Sequence, residues 1–298
     1  LDRLRVPFDQ WFSEQLIHDQ GKVELSISVL RENGYVYDQD GAVWFESTRF
    51  GDDKDRVLIK ADGQYTYFAV DVAYHQEKLT RSYDHLINIW GADHHGYIAR
   101  VKGAIQALQN QSHDADSLLT VLIGQLVTLY RDGDAVRMSK RTGEMITLEE
   151  VIDELGVDAT RYFLVQKSHD THLDFDMNLA ALQSSENPIF YIQYARARIC
   201  SLFKKLGDTE LGDLGPHVQL ADKERNLIFY TLRLPDVLSD SAMAYAPHRL
   251  ATFTWEMAKA FHQFYEACPL LTASVEDQRK RVHMLRITQQ SIQKCLGI

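Results

Sequence analysis

A short basic segment, Arg137-Met138-Ser139-Lys140-Arg141, has the residue types best suited to chemistry on a phosphate. A mobile loop with a lysine between small polar residues can close over a triphosphate. Its ammonium and backbone N–H groups can then stabilise the charge that develops during phosphoryl displacement. The same five residues are equally compatible with an exposed basic turn, so their surroundings must decide between the two interpretations.

A second candidate is Asp93-His94-His95-Gly96, because Asp and His are good ligands for zinc or iron. Adjacent histidines on an extended segment point in opposite directions, however, and no distant Glu or His motif completes a site. We therefore expect no metal centre. A metal hydrolase built on Asp93, His94 and His95 is kept as a weaker hypothesis.

The elements that must position these residues alternate between strand and helix patterns in the first half of the sequence. Paired strands are predicted at Arg56–Lys60 and Tyr65–Ala69, helices at Asp71–Ser82 and Ile98–Leu108, and buried strands at His85–Trp90 and Ser117–Leu129. Strand–helix–strand order predicts a parallel α/β sheet, whose ligands bind beyond the carboxyl ends of the strands. The Asp93–Gly96 segment and the pair Tyr67 and Asp71 fall at such ends.

Strand patterns fade from Thr147 onward. Thr147-Leu148-Glu149-Glu150 is typical of a capping box that opens a helix. Apolar residues then recur at helical spacing, with predicted breaks at Asn187-Pro188, Gly207-Asp208, Leu234-Pro235, Ala246-Pro247 and Cys268-Pro269. We expect an α/β portion followed by a helical bundle, with a boundary near Ser185.

Composition limits the location and the partners. No apolar run reaches the roughly 20 residues that span a bilayer, so we expect no membrane partner. Cys200, Cys268 and Cys295 show no Cys-x-x-Cys pairing, which is typical of a reducing cytosol and argues against disulfides or a cysteine-built zinc site.

The formal net charge of −10 does not favour nucleic-acid binding by the chain as a whole. Residues 185–298 nevertheless carry 14 Lys and Arg against 12 Asp and Glu, so this part is close to neutral. RNA binding would then need local basic clusters. The candidates are Arg196, Arg198, Lys204 and Lys205, or Arg279, Lys280, Arg281 and Arg286.

The basic segment resembles the Lys-Met-Ser-Lys-Ser signature of class I aminoacyl-tRNA synthetases. Four further blocks resemble segments of the arginyl-tRNA synthetases and occur in that family's order. They are Tyr67–Tyr74 (YFAVDVAY), Gly91–Tyr97 (GADHHGY), Leu173–Asp176 (LDFD) and Glu186–Arg198 (ENPIFYIQYARAR). The resemblance covers nearly the whole chain, and the blocks together are far more specific than any one alone.

The resemblance implies the C-terminal part of a Rossmann-like class I catalytic domain at residues 1–146. A helical connection at 147–184 and a helical anticodon-binding domain at 185–298 would follow. The implied enzyme is an arginine–tRNA ligase that uses ATP, with Mg²⁺, to make arginyl-adenylate and transfers arginine to tRNA(Arg). Its partners would be L-arginine and tRNA(Arg), and we expect a cytoplasmic monomer.

The resemblance also implies roles for single residues in the α/β portion. Tyr67, Asp71 and Asp93 match positions that hold arginine, and a carboxylate such as Asp71 can accept a guanidinium bidentately. The matched ATP-binding positions are His94, His95, Gly96, Met138, Ser139 and Lys140, of which Ser139 and Lys140 are also catalytic. Without the resemblance, the sequence favours a helix N-cap as the role of Asp71.

In the helical portion, Asn187, Tyr191, Gln193 and Tyr194 match the opening of the anticodon domain. Aromatic and amide side chains suit unstacked RNA bases, which stack on rings and hydrogen-bond at their edges. The alternative is that these tyrosines pack into the bundle. Tyr191 and Tyr194 lie on one helical face, so at least one of them is a candidate for the core.

Two departures qualify the resemblance. The other class I signature, His-x-Gly-His, does not occur in this sequence, and Arg137 and Arg141 replace the first Lys and the last Ser of the loop signature. We therefore expect a fragment with an artificial start at Leu1 that cannot form the adenylate alone. The alternative function is a non-catalytic tRNA-binding module.

Overall fold

The chain divides by its internal contacts into two units, which are described separately. The first unit is Val6–Leu126, and the second unit comprises Leu1–Arg5 and Val127–Ile298. A computed structural model of the chain describes residues 1–110, 115–136, 146–207, 214 and 218–298. The Arg137–Arg141 segment, with Met138, Ser139 and Lys140, lies outside the described residues.

The first unit places a helical layer beside short sheets. Its elements are α1 (Glu14–Asp19), α2 (Lys22–Glu32), β1 (Val36–Gln39), β2 (Ala42–Phe45), β3 (Arg56–Ile59), α3 (Tyr67–Thr80), β4 (Leu86–Gly91), α4 (Ile98–Leu108), α5 (Ala115–Leu118) and β5 (Leu119–Gly124). Strands β1, β2 and β3 form an antiparallel sheet. Fully buried Phe45, Leu58 and Ile105 belong to one apolar cluster that joins this sheet to α2, α3 and α4.

The predicted strand Tyr65–Ala69 is wrong, because α3 begins at Tyr67. Only Tyr65 keeps strand-like pairing, through an isolated bridge to Ile59. Thr66 ends the extended segment, since its Oγ1 accepts a hydrogen bond from the backbone N–H of Ala69 at 3.2 Å and so caps the helix. The predicted helix at Asp71–Ser82 is therefore real but starts four residues earlier.

The predicted parallel pairing is confirmed by β4 and β5. The two strands are in register from the pair Leu86 and Leu119 to the pair Gly91 and Gly124. The single long strand predicted at Ser117–Leu129 is wrong, because this segment holds the end of α5, all of β5 and the start of another strand. The apolar run hides the break at Gln125-Leu126, where the chain passes from one unit to the other.

The second unit is mainly helical. Its elements are β6 (Val127–Arg131), β7 (Asp134–Ala135), α6 (Leu148–Leu155), α7 (Val157–Val165), β8 (Leu173–Asp176), α8 (Met177–Ala181), α9 (Pro188–Leu206), α10 (Asp222–Met243), α11 (Pro247–Ala267) and α12 (Val275–Gly297). Strand β6 pairs antiparallel with β7 and parallel with β8. Strand β8 was not predicted from the sequence.

Most helix boundaries of the second unit follow the predicted breaks. The capping box at Thr147 is confirmed, with the Thr147 hydroxyl accepting from the Glu150 N–H and the Glu150 carboxylate accepting from the Thr147 N–H. Breaks before Pro188, after Leu206, before Pro247 and after Ala267 are also confirmed. The break at Pro235 is wrong, because α10 runs through it.

Helices α9 to α12 enclose one apolar core, with Ile192, Leu227, Phe261 and Leu285 fully buried. No helix among the described residues has the length and apolar character to cross a membrane. The predicted domain boundaries at 146/147 and 184/185 stay predictions.

A buried charge cluster ties α10 to α12. The Glu224 side chain is 0% exposed, and its carboxylate receives Lys280 Nζ at 2.8 Å and Arg281 Nε at 2.7 Å. Lys280 and Arg281 are therefore held inside the bundle. Two members of the basic cluster predicted at Arg279–Arg286 are thus not available to a phosphate.

Candidate functional site

The first turn of α3 presents two of the predicted site residues. Tyr67 is the first residue of the helix and is 86% exposed, so its ring is open to solvent. Asp71 lies one turn further on and is half-buried. The residues around them, Phe68, Ala69, Val70 and Val72, are buried, so the helix face that carries Tyr67 and Asp71 is anchored by its opposite side.

The Asp71 carboxylate forms no direct polar contact with the side chains that the structure describes. Among the described residues it has neither a hydrogen-bond donor nor an ion-pair partner. Burial raises the pKa of the Asp71 carboxyl above its usual 3.8, and repulsion from Glu14 raises it further, while His94 and Lys78 act in the opposite direction. A half-buried carboxylate with a raised pKa is suited to a cationic ligand, because the ligand restores the stabilisation that water supplied.

The second group of predicted site residues follows β4. Ala92–Tyr97 forms a 3₁₀ helix that leads directly into α4, and Asp93, His94, His95 and Gly96 are all exposed in it. His94 Nδ1 lies 3.0 Å from Asp93 Oδ1. A Cβ atom on Gly91 would lie 2.8 Å from Asp93 Oδ1, so the small residue at the strand end leaves room for that carboxylate.

This turn is fixed from below by Arg100 on α4. Its guanidinium donates to the Gly96 carbonyl at 3.3 Å and lies 4.3 Å from the centre of the Tyr97 ring. Its Nε is 3.8 Å from Asp52, whose carboxylate is held bidentately by Arg56 at 2.7 Å. These contacts of Arg100 hold the exposed His94–Gly96 segment in place.

The two groups of the first unit interact electrostatically, because the charge of His94 in the turn after β4 acts to lower the pKa of the Asp71 carboxyl on α3. Tyr67, Asp71 and the turn at Asp93 to Gly96 therefore form one candidate small-molecule site. Among the described residues, no group of three or more His, Cys, Asp or Glu side chains is arranged to hold a metal ion.

A separate cavity of about 220 Å³ lies in the second unit. It is lined by Ser185, Phe190, Tyr191, Tyr194, Arg198, His262 and Glu266. Tyr194 is 43% exposed and stacks on Phe190, with ring centres 6.1 Å apart and planes at 11°. Tyr191 is partly buried against the helical core, as the helical spacing of the two tyrosines allowed.

Arg198 and His262 also pack against the Tyr194 ring. The Arg198 guanidinium lies 4.4 Å from the centre of the Tyr194 ring, and the His262 ring stacks on it at 5.8 Å. Burial lowers the pKa of His262, so the ring is neutral near pH 7. Its Nδ1 then accepts from Arg198 at 3.4 Å and its Nε2 donates to the Tyr191 carbonyl at 3.3 Å. The result is a rigid aromatic surface with a cation above it.

Asn187 and Gln193 do not share this cavity surface. Asn187 is 3% exposed and caps α9, accepting from the Ile189 N–H at 3.1 Å and donating to the carbonyls of Ala180 and Leu182 at 2.9 Å. Gln193 donates to Asp158 at 2.8 Å in another groove. We assign Asn187 to fixing the start of the helix that carries both tyrosines.

Two family models match the chain. That of tRNA synthetases class I (R), catalytic domain, matches residues 12–196, and that of the DALR anticodon binding domain matches residues 192–298. The chain belongs to the class I arginyl-tRNA synthetase family. Its similarity to individual relatives agrees with this assignment.

Two curated relatives and one solved structure illustrate how far the similarity extends. An arginine–tRNA ligase of Anoxybacillus flavithermus is 49% identical over 99% of this chain and 53% of its own length. That of Bacillus subtilis is 46% identical over 100% and 54%. A Campylobacter jejuni structure described as an arginyl-tRNA synthetase has a TM-score of 0.86 and 34% identity, covering 100% of this chain and 65% of that one. The chain thus spans about half the length of the curated relatives it matches.

The sequence of this synthetase chain predicted the solvent-exposed residues of the candidate sites. It did not predict the residues that support them. Asn88 could have been noticed, because an amide inside the apolar run of β4 needs a partner. Arg198 was named in a basic cluster and at the end of the Glu186–Arg198 block but was given no role of its own, and its position over the Tyr194 ring follows from helical spacing. His262 carried no local signal, since it lies on a different helix.

Proposed function

We propose that this chain is part of an arginine–tRNA ligase that activates arginine with ATP and transfers it to tRNA(Arg). The observation that carries the proposal is the half-buried Asp71 carboxylate, which has neither a hydrogen-bond donor nor an ion-pair partner among the described residues and interacts electrostatically with His94 of the exposed turn after β4. A guanidinium is always charged and offers a planar fork of donors to such a group. The names of the relatives support the same amino acid.

In the proposed reaction, Asp71 accepts the guanidinium, the Tyr67 ring lines the slot and Asp93 lies near the α-amino group. An oxygen of the arginine carboxylate attacks the α-phosphorus of ATP, and the bond to the bridging oxygen of pyrophosphate breaks. No side chain of this chain forms a covalent bond. Rate enhancement then comes from positioning and from stabilising charge in the transition state.

The residues proposed to meet ATP are His94, His95 and Gly96 in the turn, with Met138, Ser139 and Lys140 in the basic loop. The Lys140 ammonium would stabilise charge on the departing pyrophosphate. Mg²⁺ would accompany the triphosphate and be held largely by phosphate oxygens and water. In the second step, a hydroxyl of the terminal ribose of tRNA attacks the arginyl carbonyl and releases AMP.

The direct test is amino-acid-dependent exchange of pyrophosphate into ATP by the full-length protein in the presence of tRNA(Arg), with each of the twenty amino acids in turn. Only arginine should drive the exchange. Exchange driven by another amino acid would contradict the proposed specificity, and tRNA binding without any exchange would favour the tRNA-binding module. The 298-residue chain alone is expected to be inactive, and arginine-dependent exchange by it would contradict that expectation.

We also propose that Tyr194 stacks on an unpaired base of the anticodon loop. Tyr194→Ala should weaken tRNA(Arg) binding by about tenfold, since stacking of a base on an aromatic ring contributes about 1–3 kcal/mol. Exposed Arg196, Lys204 and Lys205 on the same helix would add phosphate contacts. Filter binding or fluorescence anisotropy of labelled tRNA measures the change.

Phe229 on α10 supplies a matched control, because it is 52% exposed and also carries an arginine, Arg233, over its ring at 5.3 Å. It does not line the 220 Å³ cavity. Phe229→Ala should therefore leave tRNA affinity within about twofold. Equal losses of tRNA affinity in Tyr194→Ala and Phe229→Ala would contradict the proposal that Tyr194 in the cavity stacks on a base.

As the pH falls, arginine binding should weaken at a higher pH than it would with an aspartate of usual pKa. Burial and Glu14 raise the pKa of Asp71 above 3.8 in the ligand-free protein, with His94 and Lys78 opposing them. The carboxylate form binds the guanidinium, so affinity falls as the pH drops towards this raised pKa. Calorimetric titration of arginine across the acid range tests this. A pH dependence that persists unchanged in Asp71→Asn would contradict the assignment to Asp71.

A cytoplasmic location and a monomeric state stay predictions. Size-exclusion chromatography with light scattering of the full-length protein measures the oligomeric state directly.

A further inference from the structure

Three polar side chains lie between α3 and β4, and the proposed reaction uses none of them. His75 is 3% exposed and Asn88 is 5% exposed, so both are buried. Lys78 is half-buried, with its ammonium 4.3 Å from the centre of the Tyr74 ring. Buried polar groups lower stability unless they are hydrogen-bonded, so their partners show what the arrangement does.

The three side chains form one continuous chain of hydrogen bonds. Lys78 Nζ donates to Asn88 Oδ1 at 2.8 Å, and Asn88 Nδ2 contacts His75 Nε2 at 2.8 Å. His75 Nδ1 contacts the backbone carbonyl of Asp71 at 2.7 Å. These hydrogen bonds therefore link β4 to the helical turn that carries the proposed arginine-binding carboxylate.

Each member of this chain has only one possible role. An ammonium only donates, so the oxygen of the Asn88 amide must face Lys78 and its NH₂ must face His75. His75 then accepts at Nε2 and donates from Nδ1, which is possible only for the neutral ring. Burial lowers the pKa of His75 to about 4, so the ring is neutral near pH 7. Reversing or charging any member would break the chain.

The position of Asn88 links the two halves of the candidate site. Asn88 lies on β4 five residues before Asp93, and His75 lies on α3 four residues after Asp71. Leu86, its buried neighbour on the same face of β4, makes only apolar contacts with the core. Apolar packing alone leaves a helix free to slide or rotate slightly on a sheet, whereas directed hydrogen bonds specify one arrangement.

We propose that Asn88 is a positioning residue for amino-acid recognition, which fixes Asp71 relative to Asp93 by holding His75. This inference rests on the proposed function, because it assumes that Asp71 and Asp93 hold the same substrate molecule. Asn88 itself touches no substrate. Its replacement should therefore alter the binding of the amino acid more than that of ATP, whose proposed contacts do not include α3.

The test is Asn88→Leu in the full-length protein, measured by arginine-dependent pyrophosphate exchange. Leucine has the same branched shape and the same number of side-chain heavy atoms as asparagine, with no hydrogen-bonding group. We expect the arginine KM to rise about tenfold and the ATP KM to change less than about twofold. Unchanged arginine KM, or equal increases for arginine and ATP, would overturn the proposal.

Asn33→Leu is the matched control. Asn33 donates to the carbonyl of Ala107 at 2.8 Å in the same unit, so its hydrogen bond is to the end of α4. It should reduce thermal stability without raising the arginine KM. If both variants raise the arginine KM equally, the effect of Asn88→Leu is structural and the positioning role fails.

A double-mutant cycle with Asp71→Asn separates indirect action from general damage. If Asn88 acts through Asp71, adding Asn88→Leu to Asp71→Asn should raise the arginine KM by less than about twofold. A further tenfold rise would contradict the proposal. If Asn88→Leu does not fold, Lys78→Met at the more exposed end carries the test, with a rise of about threefold expected in the arginine KM alone.

Failure of this inference can be told from failure of the proposed function. The wild-type protein must first show arginine-dependent exchange, and its absence counts against the function. Normal exchange by the wild type with an unaltered Asn88→Leu variant counts against the positioning role only.

Discussion

Replacing Asp71 with asparagine should raise the arginine KM of the full-length protein about a hundredfold. The substitution keeps the shape of the side chain and removes the charge that a guanidinium needs. Truncating one partner of a desolvated charge pair costs about 2–5 kcal/mol, and Asp71 is only half-buried, so we take about 2.7 kcal/mol, which is a factor of about 100. Pyrophosphate exchange at varied arginine concentration measures the change.

Two further measurements show whether the effect is specific to contact with Asp71. The first uses citrulline as an inhibitor, and the second uses the variant Glu14→Gln. Citrulline has the length of arginine with a neutral end, so Asp71→Asn should leave its inhibition of the exchange unchanged or strengthened. Glu14→Gln removes the same charge from a group that acts on Asp71 only through its field. It should change the arginine KM less than about threefold. Equal effects of the two substitutions would show that the general negative field, not contact with Asp71, selects arginine.

Replacing Glu224 with alanine should destabilise the helical unit by about 3–5 kcal/mol. The carboxylate is 0% exposed and accepts from Lys280, Arg281 and the backbone N–H of Ala221 at 2.7–2.9 Å. Its loss leaves two cations in the bundle with fewer partners, although Asp277 still contacts Lys280 at 2.8 Å. Urea denaturation followed by far-ultraviolet circular dichroism measures the loss.

Asp222 provides the control on the same helical turn, because it pairs with Arg225 at a site where its side chain is 89% exposed. Asp222→Ala should cost about 0.5 kcal/mol, as expected for an exposed pair near a helix N-terminus. Similar losses for the two variants would show that the buried cluster contributes no more than a surface pair.

The pH dependence of the Glu224 contribution has a definite sign. Burial by itself raises the pKa of this carboxyl, but hydrogen bonds from Lys280 and Arg281 outweigh burial and bring the pKa below its usual 4.5. The folded state therefore holds the charged form more strongly than the unfolded chain does. Its stabilising contribution is complete above pH 4.5 and is lost as acid titrates the folded carboxylate.

Local sequence patterns predicted those parts of the fold that depend on neighbouring residues. The capping box at Thr147, the proline at the start of α9 and the strand β4 are all specified within a few residues. The start of α3 was missed because Tyr65–Ala69 is rich in aromatic residues that favour strands, and Thr66 was not recognised as a cap.

The features that the sequence did not reveal concern partners far apart in the sequence. Lys280 and Arg281 look like surface cations until Glu224, more than 50 residues away, is placed beside them. Asn187 was recognised by its position in a family block, but its cap and its two carbonyl partners show that it acts on the backbone. For Tyr194 the block indicated the residue, while the Arg198 and His262 contacts depend on how α9 meets α11.

Gly91, which ends β4, limits the side chains that can be accommodated beside Asp93. A methyl group at Gly91 would press on the tip of the Asp93 side chain, which can rotate away at little cost to the fold. Alanine at this position would therefore leave the fold intact but displace the carboxylate that we propose to lie near the α-amino group of arginine. A residue with no side chain of its own thus determines where the Asp93 carboxylate can lie.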